Sequence, residues 1–152
     1  LVQRGKLEMD GSHFAEAECW LKKALEQRPH DPEARYSLYL SLQGQADRQK
    51  EAEEELARWQ EDRRTRDRLT RLVRTELDAK PNDADLAEEA GELFMQLGED
   101  QRGLFWLNRA LSLDPRHAAS HRALIAYYER TNNPAQAEEQ RRQLSERMKD
   151  ER

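Results

Sequence analysis

Apolar residues recur along the chain three and four positions apart with polar residues between them, the spacing of amphipathic helices. Ala17, Leu21 and Ala24 show it, as do Leu38 and Leu42, and Leu107 and Ala110. Turn-forming residues separate the periodic stretches: Asp10-Gly11-Ser12, Gln43-Gly44, Leu97-Gly98 and Asn132-Asn133-Pro134. The pattern predicts helices over 1–10, 14–27, 32–43, 47–79, 84–97, 100–112, 117–131 and 134–149. Asp31 is placed to cap one helix, and Pro32 and Pro134 to open two, where a missing N–H costs nothing.

The periodic stretches repeat. WLKKALEQRP (Trp20 to Pro29) and WLNRALSLDP (Trp106 to Pro115) share Trp, Leu, an Ala-Leu pair, the closing Pro and a basic residue before the Ala. LDAKP, Leu77 to Pro81, is a weaker copy of the ending, and 34 residues separate Pro81 from Pro115. A helix closing in Pro at this period resembles the tetratricopeptide repeat (TPR) family. Gly91 matches that family's glycine slot, Phe94 its tyrosine, Gly103 its first small residue, Leu107 its aromatic, and Ala110 and Pro115 its closing pair. A following copy keeps Leu124, Tyr128, Ala137 and Leu144 but departs at Ile125, at Arg141 and at its missing final Pro. An earlier copy has Leu38, Leu42, Ala52, Leu56 and Trp59, with Tyr39 in the glycine slot. The first keeps Ala17, Leu21, Ala24 and Pro29 behind a leading helix read as truncated.

The resemblance implies an all-α fold, a right-handed superhelical stack of antiparallel helix pairs (a TPR-like α-solenoid). It would form one domain over 1–152, with about four repeats near 1–31 (partial), 32–62, 84–115 and 118–149. The physics agrees: small Gly91, Gly103 and Ala110 let helices approach, while Phe94, Trp106 and Leu107 fill seams. A pair that cannot bury its apolar face alone must stack on a neighbour.

Between Gly44 and Pro81 there is neither glycine nor proline. The expectation is one long connecting helix over 47–79, about 50 Å at 1.5 Å per residue, with a break capped by Asp62 as the alternative. It would act as a strut between repeat blocks. Its middle, QEDRRTRDR (Gln60 to Arg68), has no apolar residue, so nothing is expected to cover it. Leu69, Leu72, Val73 and Leu77 supply the apolar face of its end.

Composition then narrows the class. Hydrophobic residues are 36% and charged residues 38% of the chain, which suits a thin stacked core better than a large compact one. The periodicity and the tryptophans argue against disorder. Net charge is −5, against nucleic acid as the partner of the whole chain. Charge is nonetheless segregated: seven arginines lie between Arg58 and Arg74, and seven acids with no Lys or Arg between Asn82 and Gln101. The lone Cys19 excludes an internal disulfide, which favours a reducing, cytoplasmic setting. The start at Leu1, inside a helical pattern, reads as a fragment and keeps a periplasmic setting open. No apolar run is long enough to span a membrane.

Candidate chemistry is sparse. His117 and His121 are four apart, but two ligands are too few for zinc. His121 falls where the family packs an aromatic. Cys19 has no histidine at an activating spacing and reads as a packed or half-exposed thiol. There is no Gly-rich phosphate loop, and the Trp and Phe residues fall on the packing period and read as core. No catalytic residue, metal or cofactor is expected. The expected function is a non-catalytic scaffold that holds a protein or peptide, with no small-molecule substrate. The alternatives are nucleic-acid or anionic-surface binding through the Arg-rich helix 58–74, and an interaction module of a larger enzyme. No aromatic lies between Gln60 and Lys80, which weighs against stacked bases.

The resemblance further implies that the first helix of each pair lines a concave groove. The residues offered there are Tyr36, Leu40 and Gln43, then Asp85, Glu88, Glu92 and Gln96, then Arg122 and Glu129. Asp85, Glu88 and Glu92 share a helical face, and such an acidic stripe attracts Lys or Arg of an extended or helical segment. The expected partner is therefore a basic peptide segment. A second copy offering its Arg cluster, giving a homo-oligomer, is the rival occupant.

Overall fold

Helices joined by short turns account for the architecture, and among the described residues, 1–149, the computed structural model contains no strand. The elements are α1 (Val2–Asp10), α2 (Phe14–Gln27), α3 (Pro32–Gln43), α4 (Gln49–Arg71), a π-helical turn (Leu72–Glu76), α5 (Leu77–Ala79), α6 (Ala84–Gln96), α7 (Asp100–Leu113), α8 (Ala118–Arg130) and α9 (Pro134–Lys149). Consecutive helices pack as pairs in an all-α fold. Asp31 caps α3 by accepting from the Glu33 and Ala34 amides, and Asp83 caps α6 by accepting from Leu86. The chain forms two compact units, Leu1–Arg66 and Asp67–Arg152.

The turns of three pairs use one device. Ser12, Gly98 and Asn132 have φ of 60°, 72° and 56°. Each donates its amide three residues back: Ser12 to Met9 at 2.8 Å, Gly98 to Met95 at 3.0 Å and Asn132 to Glu129 at 3.1 Å. The next residue donates five back: His13 to Glu8 at 2.8 Å, Glu99 to Phe94 at 2.9 Å and Asn133 to Tyr128 at 2.8 Å. These are Schellman caps, which satisfy the last carbonyls of a helix and reverse the chain. At the first turn the left-handed position belongs to Ser12, and Gly11 keeps φ of −81°.

In the first unit α1, α2 and α3 bury Val2, Ala17, Leu21, Ala24, Ala34, Leu38 and Leu42, with Ala52 from α4. α1 presses its backbone against α2 at Gly5, where a Cβ would lie 2.7 Å from Leu21 Cγ. The stretch Gln60 to Arg68, expected to be uncovered, instead has a polar cover. Asp62 Oδ1 lies 3.3 Å from His30 Nδ1, Arg35 Nε lies 3.6 Å from Asp62 Oδ2, and Arg66 donates to the His30 carbonyl. Thr65 is buried. Asp62 does not break the helix. Its carboxylate is taken up by neighbours across the turn rather than by a cap. Glu18 closes the other end of this unit, accepting from Arg48 at 3.0 Å, Gln45 at 3.1 Å and Lys22 at 2.6 Å. Burial raises the Glu18 carboxyl, and these donors outweigh it and hold it below the usual carboxylate range.

In the second unit Leu69, Leu72, Leu77, Ala90, Leu93, Phe94 and Leu97 form a core beside buried Leu107, Ala110 and Leu124. Val73 was expected on this face but is 38% exposed. The physical reason is the π turn, whose wider spiral delays the return to the buried face until Leu77. Arg68 grips this turn against α6: Nε donates to Glu89 at 2.6 Å and Nη2 to Glu76 at 3.0 Å.

Phe94 is buried in the core and Trp106 packs against it, as expected, but other aromatic residues depart from expectation. All three tryptophans are only half-buried, and Phe105 is 62% exposed. Each tryptophan has a cation over its ring: Lys23 at 5.0 Å, Arg63 at 5.3 Å and Arg109 at 5.9 Å. An indole is too large for the inner seam of a close pair, so its apolar body covers the rim while charged side chains lie over it. Cys19 is exposed rather than packed.

Candidate functional site

The second unit holds a groove between α6 and α8, lined by Glu92, Met95 and Gln96 from one helix and Ala123, Ala126, Tyr127 and Arg130 from the other, with a volume of 350 Å³. Helical spacing explains the lining. Ala123, Ala126, Tyr127 and Arg130 recur every three or four residues, so one stripe of α8 faces the groove. α6 turns its buried stripe, Ala87, Ala90, Gly91 and Phe94, to the core, which leaves Glu92 and Gln96 outward. Alanines keep the floor low, and Met95 with the Tyr127 ring makes it apolar.

The two ends carry opposite charge. At one, Glu92 continues along α6 into Glu88 and Asp85. Burial pushes the Glu88 carboxyl up to about 7, helped by the charge of Glu92 and their mutual hydrogen bond and opposed by His117. Repulsion from a nearby carboxylate favours the neutral form of Glu88. His117 caps α8: its Nδ1 accepts the Ser120 amide at 3.3 Å, so the proton resides on Nε2, which donates to Asp85 Oδ1 at 2.8 Å. At the other end Arg130 lies over the Tyr127 ring at 5.4 Å and donates to Asp100 at 3.1 Å.

Of the residues expected to line a groove, Glu92 and Gln96 line this one, and Asp85 and Glu88 extend it along α6. Arg122 is exposed on α8, and Glu129 pairs with Arg141 of α9. Tyr36, Leu40 and Gln43 lie on α3 in the first unit. Tyr36 packs against Trp59 at 5.0 Å and Tyr39 at 5.6 Å between ring centroids, Leu40 is half-buried and Gln43 is exposed. Met95, Ala123, Ala126, Tyr127 and Arg130 were not anticipated: helical spacing puts the last four on one stripe, but only the packing of α8 against α6 turns that stripe to a groove.

The histidines are occupied structurally. His121 is buried, with Nδ1 2.8 Å from Gln140 Oε1 and Nε2 3.3 Å from the Pro115 carbonyl. Among the described residues no group of three or more His, Cys, Asp and Glu is arranged to hold a metal ion, and no helix is long and apolar enough to cross a membrane.

No protein-family model matches the chain, and no curated protein matches it. Among solved structures it is similar to the MamA RS-1 ArsTM double mutant, at 17% identity and a TM-score of 0.46, over 97% of this chain and 92% of that one. It is also similar to a second MamA mutant, at 17% identity and a TM-score of 0.47, over 95% of this chain and 74% of that one.

Proposed function

We propose that the chain is a non-catalytic protein-interaction scaffold and that the α6–α8 groove receives a segment of its partner. The observation that carries this reading is the groove itself, apolar along its floor and acidic at one end. A segment that places an apolar side chain over Met95, Ala126 and Tyr127 and a Lys or Arg beside Glu92 would fit both features. Apolar contact supplies affinity and the charged end supplies orientation and association rate. Such an interaction weakens as salt rises, because its charges lie at the surface.

The arginine cluster supports this reading over binding to nucleic acid. Arg58 pairs with Glu55, Arg64 with Glu61, and Arg68 with Glu76 and Glu89. Much of its charge is answered within the chain.

The test is comparative capture with three baits: the wild-type chain, Ala126→Arg, and Arg63→Glu combined with Arg64→Glu. A partner retained by the wild type and the arginine variant but lost with Ala126→Arg supports the groove. A partner lost only with the arginine variant refutes it. Light scattering of the wild type would expose self-association as the alternative.

A further inference from the structure

His117 joins α8 to α6 through both nitrogens of its ring. Nδ1 accepts from the Ser120 amide at 3.3 Å and lies 2.8 Å from the Ser120 hydroxyl, while Nε2 donates to Asp85 Oδ1 at 2.8 Å. An imidazole fills both roles only while neutral, because protonation turns Nδ1 from acceptor into donor. The hydroxyl oxygen of Ser120 could receive that new N–H, but the Ser120 amide would lose its partner. Ser120 is fully buried, so water cannot take the place of the ring.

The two sides of the ring respond to protonation in opposite ways. Asp85 favours the imidazolium, and Glu88 of the same helix lies close enough to feel its charge. Asp85 is 91% exposed, however, and an ion pair in that setting is worth little. The N-terminus of α8 disfavours a cation, since its free amides carry positive charge. Charged groups on the neighbouring elements are turned elsewhere. Arg109 of α7 donates to the Pro81 carbonyl, and Asp114, just before α8, accepts from the Arg116 amide. The Asp100–Arg130 and Glu129–Arg141 pairs join α7 and α9 to α8 at its far end. His121, one turn along α8, faces Gln140 of α9 and the Pro115 carbonyl.

We infer that His117 is a pH-operated clasp: neutral, it closes the first turn of α8 onto α6, and protonated, it releases the Ser120 amide so that this turn loosens. The clasp belongs to the fold and does not depend on what the groove receives. Ala123 and Ala126, which form the α8 wall of the groove, follow Ser120 within two turns, so the loosening reaches that wall from its acidic end. Protection of the first turn of α8 therefore falls as pH drops from ~8 to ~5, the span in which histidine changes charge.

Native-state amide exchange on the full chain, read by NMR and divided by the intrinsic rate at each pH, tests the clasp. Nitrogen-15 shifts of the His117 ring report its tautomer and charge alongside. At pH ~8 the ring should carry its proton on Nε2, and the Ser120 amide should be protected. At pH ~5 that protection should have fallen roughly tenfold, the loss of one hydrogen bond to a buried donor, with no comparable fall at Leu93 and Phe94 of α6. His117→Asn, whose side-chain oxygen caps a helix without titrating, should keep Ser120 protected at both pH values. A proton on Nδ1 at the higher pH overturns the inference, as does a Ser120 amide unprotected there. So does an imidazolium at the lower pH with Ser120 protection intact, or a ring still neutral at that pH. An equal loss of protection in His117→Asn assigns the acid response to another group and overturns it as well.

Discussion

Gly91 of α6 and Leu107 of α7 meet so closely that a Cβ on the glycine would lie 2.7 Å from Leu107 Cγ and 3.1 Å from the Gly103 carbonyl oxygen. Leu107 is fully buried, and the clash falls on its branch carbon and on backbone, neither of which can swing aside. Gly5 and Leu21 stand in the same relation, at the same sequence separation, in the first unit.

The first prediction follows from this contact. Gly91→Ala should lower stability by about 1–3 kcal/mol in chemical denaturation, despite alanine's better helix propensity, because over-packing forces the helices apart. Gly91→Leu should cost more. A neutral or stabilised Gly91→Ala variant would show that the pair is looser than its geometry indicates.

Ser12 supports a second prediction, of opposite sign. It holds the left-handed cap position that Gly98 fills in the corresponding turn, and it is exposed. Ser12→Gly should relieve that backbone cost and raise stability by about 0.5–1 kcal/mol, while Gly98→Ala should lower it by about 1 kcal/mol. Thermal melts of both variants check the pair.

Arg68 carries the third. Its guanidinium answers Glu76 in the π turn and Glu89 in α6 through a planar fork that lysine cannot reproduce. Arg68→Lys should cost about 1 kcal/mol, a modest figure because all three side chains are partly exposed. Amide exchange at Leu72 and Leu77 should accelerate in that variant. Unchanged exchange would mean that leucine packing alone maintains the π turn.

Helix ends were legible because their causes are local: Asp31 caps, Pro32 and Pro134 open, and Asn132 reverses the chain. The π turn was not, since its cause is tertiary. Arg68 bridges residues distant in sequence, and Val73 could be seen to face outward only once that bridge was known. Gly5 was readable but overlooked: it stands to Leu21 as Gly91 stands to Leu107, sixteen residues on. The acidic wall of the groove was visible as a charge pattern. Its floor was not, because Ala123 and Ala126 acquire meaning only opposite Met95.

The last prediction concerns pH. The Glu88 carboxyl titrates near 7 in the folded chain instead of its ordinary 4.5, so between these values the folded state binds more protons than the unfolded state. Stability therefore falls as pH rises through that window, the reverse of the usual acid response. Glu18 and Glu76 act oppositely: donors, led for Glu76 by Arg68, hold them below the ordinary value. Their contribution is present above that value and is lost only as pH falls below it. The two effects thus occupy separate ranges. Glu88→Gln should match the wild type near pH ~4 and be the more stable above pH ~7, by no more than about 1 kcal/mol since a half-exposed group keeps much of its hydration. Denaturation curves for both proteins across this range provide the check. Parallel stability profiles would show that Glu88 ionises in the folded chain without cost.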